Sequence, residues 1–307
     1  KNNPKFPLPY YLVPEESAHF YYTNNLDPRI SGQLSMKISG KKHYKFFIHP
    51  ELETYFDYLR LAFSYVGADK TEFWATPTSN YRSLVVWNKN NTNRKPFIAK
   101  ISLDKKTSHE MSLGDEDNDI ERILAYQRFF ENIGDNKLSQ ISLNYFPETA
   151  GMDLEKIHPF KHEKIQAQSI QEIPDELLLD KKHWTSLATL IEAQTSHPHQ
   201  LMEFITKSGM SSYQFVEDQM INQYLKIVEE LSLKKGIQFE PTSQNLLIET
   251  SPDLKLTGKW VLRNFEHYKN DILSMARSQG PLELFMLTGS AHKFNFSEGR
   301  ISVFKNY

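Results

Sequence analysis

KKGIQFEPTSQNLLIETSPDLKLTGKWVLRNFEHY, residues 234–268, is the stretch on which the fold assignment turns. Gly236 ends a helical pattern, and the apolar residues Ile237 and Phe239 open a strand. Glu240, Thr242, Gln244 and Asn245 then form a polar knot. Leu246, Leu247 and Ile248 make a second apolar strand, Ser251-Pro252-Asp253 signals a turn, and Trp260–Leu262 makes a third. The third strand ends at Arg263, Asn264 and Glu266. The pattern is a β-hairpin with carboxylates and amides at its ends. Such oxygens suit a hard cation such as Mg²⁺, which keeps room for phosphate oxygens. The plainer alternative is a hairpin with a solvated polar rim.

Outward from this stretch, composition sets bounds. The 307 residues support one large domain or two medium ones. They are 39% hydrophobic and 24% charged, a globular balance, and the net charge of −2 provides no global basic field for nucleic acid or a membrane surface. The absence of Cys excludes disulfides, thiolate metal sites and a Cys nucleophile, and it suits a reducing cytoplasm. No apolar run reaches the roughly 18 residues of a membrane span. The sequence starts at Lys1, so a trimmed N-terminus is expected.

Along the chain, residues 1–35 are rich in Pro and aromatics and suggest an extended arm packed on a body. Lys42–Ile48 predicts a strand ending at His49-Pro50. Apolar residues at 52, 55, 56, 59, 62, 63 and 66 predict a helix over 51–66. A turn at Thr76-Pro77 precedes the strand Leu84–Trp87, a polar tip over 88–95, and the strand Phe97–Leu103, which carries Lys100 in its middle. A solvated, outward-facing Lys is the commoner fate of such a residue. The sharper reading is a strand Lys that reaches nucleotide phosphates, with Arg82 one strand earlier facing the same cleft.

Residues 107–119, with Asp115, Glu116, Asp117 and Asp119, read as a solvated loop before a helix over 120–132. Further strands are predicted over 137–146 and 165–173. Beyond Pro174 the pattern is helical over 176–194, 201–206 and 212–233, and again over 268–278 and 282–287. The expected fold is α+β, with a sheet-rich, fingers-like domain over 1–175. A helical, palm-like domain over 176–307 surrounds the hairpin, with a cleft between the two. His197-Pro198-His199 lacks an acidic partner in helical register and predicts no metal site; His158 and His162 read as loop residues. No GxGxxG, Walker A or GxSxG motif occurs.

An ordered set of motifs resembles the NRPS-independent siderophore synthetases of the aerobactin-synthetase type. His49-Pro50-Glu51-Leu52 is similar to the family's His-Pro-Trp-Gln, and Thr78-Ser79-Asn80-Tyr81-Arg82-Ser83 to its Ser-x-Arg-Thr. Phe97–Leu103 resembles its Lys-Leu-Ser strand. Residues 236–245 are similar to Gly-x-x-x-Glu-Ala-His-x-Gln-Asn, and 261–266 to the Arg-Asp-Phe segment. Thr242 stands where the family has His, and Asn264 where it has Asp.

The resemblance implies an ATP-dependent carboxylate–amine or carboxylate–hydroxyl ligase that works through an acyl-adenylate in siderophore biosynthesis. It assigns catalysis to Arg82, Lys100 and Glu240, and nucleotide contacts to Ser79, Arg82, Lys100, Thr242, Gln244, Asn245 and Arg263. Mg²⁺ falls to Glu240, Asn245, Asn264 and Glu266. The implied partners are a small-molecule carboxylate, an amine or hydroxyl substrate and a second copy of the chain, with neither nucleic acid nor membrane. A second resemblance is to kinase-like phosphotransferases: Glu240 and Asn245 share the spacing of Asp-x-x-x-x-Asn, and Asn264-Phe265-Glu266 stands where Asp-Phe-Gly would. The two substituted positions also motivate a third reading, a non-catalytic relative that binds nucleotide or another ligand.

Overall fold

The computed structural model describes residues 4–54, 56–78, 82–101, 143–154, 167–179, 183–191, 200–234, 237–238, 243, 245–253, 255–263, 269–271 and 300–301. The chain divides into two compact units, residues 1–124 with 147–173, and residues 125–146 with 174–307. The architecture is mixed α+β and sheet-rich.

The first unit begins with Phe6–Pro7 (β1), Tyr10–Pro14 (β2) and His19–Tyr22 (β3), followed by the short helix Pro28–Leu34 (α1). Ser35–Ile38 (β4), Lys41–Phe47 (β5), Ser64–Val66 (β6), Phe73–Pro77 (β7), Ser83–Asn88 (β8) and Phe97–Ile101 (β9) follow. After Leu143–Tyr145 (β10), which belongs to the second unit, come Glu148–Asp153 (β11) and Ala167–Glu172 (β12). The described residues form a seven-stranded sheet in the order β1-β7-β8-β9-β12-β11-β3 and a four-stranded sheet in the order β4-β5-β2-β6.

Alternation explains how the layers stack, because successive side chains of a strand point to opposite faces. Tyr10 and Leu12 of β2, with Phe47 of β5, pack on Phe73, Ala75, Leu84, Val86, Phe97, Ala99 and Ile101 of the large sheet. Tyr11 and Val13, with Phe46 and Ile48, face the other way onto Leu52, Phe56, Leu59 and Phe63. The four-stranded sheet is therefore apolar on both faces. Lys45 is buried among these rings and is held by Glu72 at 2.6 Å, its ammonium 4.8 Å from the Phe73 ring centre.

The second unit places a four-stranded sheet, β10 with His183–Ser186 (β13), then Leu246–Thr250 (β15) and Leu256–Leu262 (β16), in the order β10-β16-β15-β13. Ile237–Gln238 (β14), Lys269–Asp271 (β17) and Arg300–Ile301 (β18) form a small separate sheet. A helical run of Ser212–Val216, Glu217–Ile221, Asn222–Val228 and Glu229–Lys234 supplies Phe215, Met220, Ile227 and Leu231 to a core with Leu246, Ile248, Trp260 and Leu262. Val216 and Tyr224 pack at its margin, while Tyr213 is 75% exposed.

Five expectations are corrected. Residues 6–22 are not an arm: they supply three strands, and β2 is an interior strand paired with both β5 and β6. Residues 51–66 are not one helix. They form the 3₁₀ turns Pro50–Leu52 and Asp57–Leu61 and then β6, because the backbone of 64–66 pairs with β2. Their apolar stripe still marks the buried side, at Leu52, Phe56, Leu59 and Phe63. Strand β10, expected in the sheet-rich first domain, pairs in parallel with β16, and residues 183–186 and 269–271 form strands where helices were expected, 183–186 because their backbone pairs with β15. The predicted elements over 120–132, 272–278 and 282–287, the acidic loop over 107–119, and His158, His162, His197 and His199 lie outside the described residues.

Candidate functional site

The face of the seven-stranded sheet opposite the apolar core is polar at its centre. Directly paired residues of antiparallel strands share a face. Ser83 of β8 pairs with Lys100 of β9, and Lys100 with Ser169 of β12. Two residues along the strands, Ile98 pairs with Gln171, and Gln171 with Glu148 of β11. Ser83, Lys100, Ser169, Gln171 and Glu148 therefore lie side by side, and all five are buried.

Lys100 is 3% exposed, so it is not the solvated strand Lys that base frequencies favour. A buried ammonium needs a counter-charge. The Lys100 ammonium donates to Glu148 Oε1, and Gln171 Nε2 donates to the same oxygen at 2.9 Å. Glu148 is fully buried and lies where the pairing of β11 with β12 shifts register. The sequence reading missed β11 altogether. Its run Glu148-Thr149-Ala150-Gly151 has a single strand-favouring residue, Thr149, and no apolar alternation. The usable signal was a carboxylate beside Pro147 and small residues, between two predicted strands.

Arg82 precedes β8 and is 4% exposed. Its carbonyl accepts the Ile101 amide at 3.0 Å, so its backbone abuts the strand that carries Lys100. Two of the expected phosphate-binding cations thus sit on adjacent, hydrogen-bonded segments, Lys100 within β9 and Arg82 just before β8. His49, the first residue of the His-Pro motif, is buried, and its Nδ1 accepts the Glu51 amide at 3.3 Å to cap a 3₁₀ turn.

In the second unit, Asn245 and Arg263 meet at the end of the β15–β16 hairpin, where the Arg263 amide donates to the Asn245 carbonyl at 3.1 Å. Arg263 is buried and Asn245 half-buried. Ser79, Glu240, Thr242, Gln244, Asn264 and Glu266 lie outside the described residues. Among the described residues, no group of three His, Asp or Glu is arranged to hold a metal ion.

No family model and no curated protein matches the sequence itself. Solved structures do match. Aerobactin synthetase IucA from a hypervirulent pathotype of Klebsiella pneumoniae superposes with a TM-score of 0.69 at 15% identity, covering 96% of this chain and 54% of that one. The fold is that of the aerobactin synthetases. The ATP-bound form of IucA gives 0.69 at 14% identity, over 94% of this chain and 53% of that one. The petrobactin biosynthesis protein AsbB from Bacillus anthracis gives 0.66 at 14% identity, over 89% and 48%. The likeness expected from the five motifs is thus present in the fold, and the chain spans about half the length of the structures it matches.

Proposed function

We propose that this chain is the nucleotide-binding part of an ATP-dependent ligase that joins a small carboxylate to an amine or hydroxyl, as in siderophore assembly. One observation carries the reading: a chain with the synthetase fold, a fold seen with ATP bound in IucA, buries Lys100 within β9 and Arg82 just before the neighbouring strand β8. Buried cations on a preformed sheet suit phosphates, because they need no reorganisation when charge develops. Arg offers a planar, two-pronged contact to phosphate oxygens, and Lys a compact charge.

In this reading a substrate carboxylate oxygen attacks the α-phosphorus of ATP. The bond to the bridging oxygen breaks and pyrophosphate leaves. Arg82 and Lys100 offset the negative charge that builds on the phosphates. The amine or hydroxyl then attacks the acyl carbon of the adenylate, AMP leaves with the bonding electron pair, and the nucleophile loses its proton. Asn245 and Arg263 are assigned to the nucleotide by resemblance. So is Mg²⁺, to Glu240, Asn245, Asn264 and Glu266; the ion would supply further charge neutralisation, and no step above is routed through it. The substrates are small molecules, and a homodimer is part of the proposal.

The test is product analysis. The protein is incubated with ATP, Mg²⁺, a panel of di- and tricarboxylates and hydroxylamine, and AMP and ADP are assayed separately. The ligase reading expects AMP and pyrophosphate with at least one carboxylate. ADP alone would move the assignment to a phosphotransferase, and neither product to a binding protein.

A further inference from the structure

We infer that Glu148 is a positioning residue that fixes where the Lys100 ammonium meets the nucleotide; the inference rests on the nucleotide reading above. Lys100 and Glu148 sit on strands separated by β12. Neighbouring strands lie about 4.8 Å apart, so the two backbones are about 10 Å apart. The ion pair can close only if the lysine stem lies along the sheet, across β12, rather than standing off it. The surface under that path suits it. Ser169, directly opposite Lys100, is small, and its own partner on β11 is Gly151, which has no side chain. Gln171 then ties down the carboxylate from β12.

Two further observations fit. The Ser169 hydroxyl is fully buried and has no hydrogen-bond partner, so an oxygen able to accept from an ammonium lies opposite Lys100. Glu148 is also an expensive residue at this place. A buried anion repels phosphate, so by charge alone it opposes nucleotide binding. Its position is explained by the cation it aims, much as protein kinases hold their strand lysine with a glutamate. Among the described residues paired around Lys100 and Glu148, Ser83, Ser169 and Gln171 carry no charge, and Arg82 lies on the segment bonded to Ile101.

The test is calorimetric titration of Mg·ATP into the wild-type chain, Glu148→Gln, Glu148→Asp and Gln171→Leu, each checked for folding by circular dichroism. Glu148→Gln is expected to bind about tenfold more weakly, the scale of one lost hydrogen bond to a charged group. Glu148→Asp recovers part of the loss. Gln171→Leu, which keeps both charges, weakens binding in the same direction. The decisive readout is the double variant: in a Lys100→Met background, Glu148→Gln no longer weakens binding, and loss of the anion leaves it equal or tighter. Equal or tighter binding by Glu148→Gln and Gln171→Leu overturns the inference, as does an undiminished effect without Lys100. A folded wild-type chain that binds no ATP overturns the nucleotide reading and the inference with it.

Discussion

Asp27 caps α1 by accepting the Arg29 amide at 2.7 Å, and it pairs with the Arg29 guanidinium at 2.6 Å. The Arg29 bonds, against a smaller opposing effect of burial, hold its carboxyl down at about 2, below the ordinary 3.8. A carboxyl depressed on folding binds its proton more readily in the unfolded chain. Its contribution is therefore complete above the unfolded value and is lost as pH falls from about 4 to about 2. Asp27→Asn keeps a capping oxygen and removes only the charge. It is expected to lower the thermal midpoint near neutral pH, with the gap to wild type closing over that acid window; a gap constant down to about pH 2 would contradict this assignment. At the same scale, Lys100 marks where the sequence stops being informative. Its strand was evident from Phe97, Ile98 and Ile101. Its burial was not, because the carboxylate that permits it lies 48 residues away in sequence. Local periodicity carries no trace of such a partner. Glu72 shows the same limit: burial pushes its carboxyl up, yet Lys45, 27 residues away, and Tyr10 together hold it below its ordinary value.

Elements were legible where one face is buried and the period is regular. The stripe Val216, Met220, Tyr224, Ile227 and Leu231 was read as the inner face of a helix, and it does pack on Trp260 and Ile248. Tyr213, read as part of that stripe, is its exposed end. This divides the expected effects of truncation. Ile227→Ala opens a cavity in the core of the second unit and should cost about 2–5 kcal/mol, whereas Tyr213→Ala at the surface should change stability by less than about 0.5 kcal/mol. Denaturant melts of the two variants test the helix register, and equal losses would mean that the helix is turned. The failures have a common cause. The periodic pattern at 51–66 encodes which side is buried, but not whether the backbone satisfies its hydrogen bonds within a helix or with β2. The aromatic-rich N-terminus looked like a bound arm because Pro7, Pro9 and Pro14 interrupt it; pairing with β5 and β6 restores the ladder between them.

At the scale of the whole molecule, the sequence reading placed one boundary near 175, and the two compact units divide between 173 and 174 and again on either side of 125–146. The second crossing was invisible to composition, since β10 reads as an ordinary strand until its parallel partner β16, more than a hundred residues later, is known. No helix among the described residues is long and apolar enough to cross a membrane. The fold is like that of the aerobactin synthetases, and the polar face of the large sheet carries Lys100 beside Ser83 and Ser169, with Arg82 just before the strand next to it. The account therefore stands on nucleotide binding at that face. Calorimetric titration of Mg·ATP into the wild-type chain, Arg82→Met and Lys100→Met tests it most directly. A saturable heat is expected from the wild-type chain, with affinity falling about tenfold or more in each variant as a charge-assisted phosphate contact is lost. A silent titration with folded wild-type protein, or variants that bind as tightly as wild type, would contradict it.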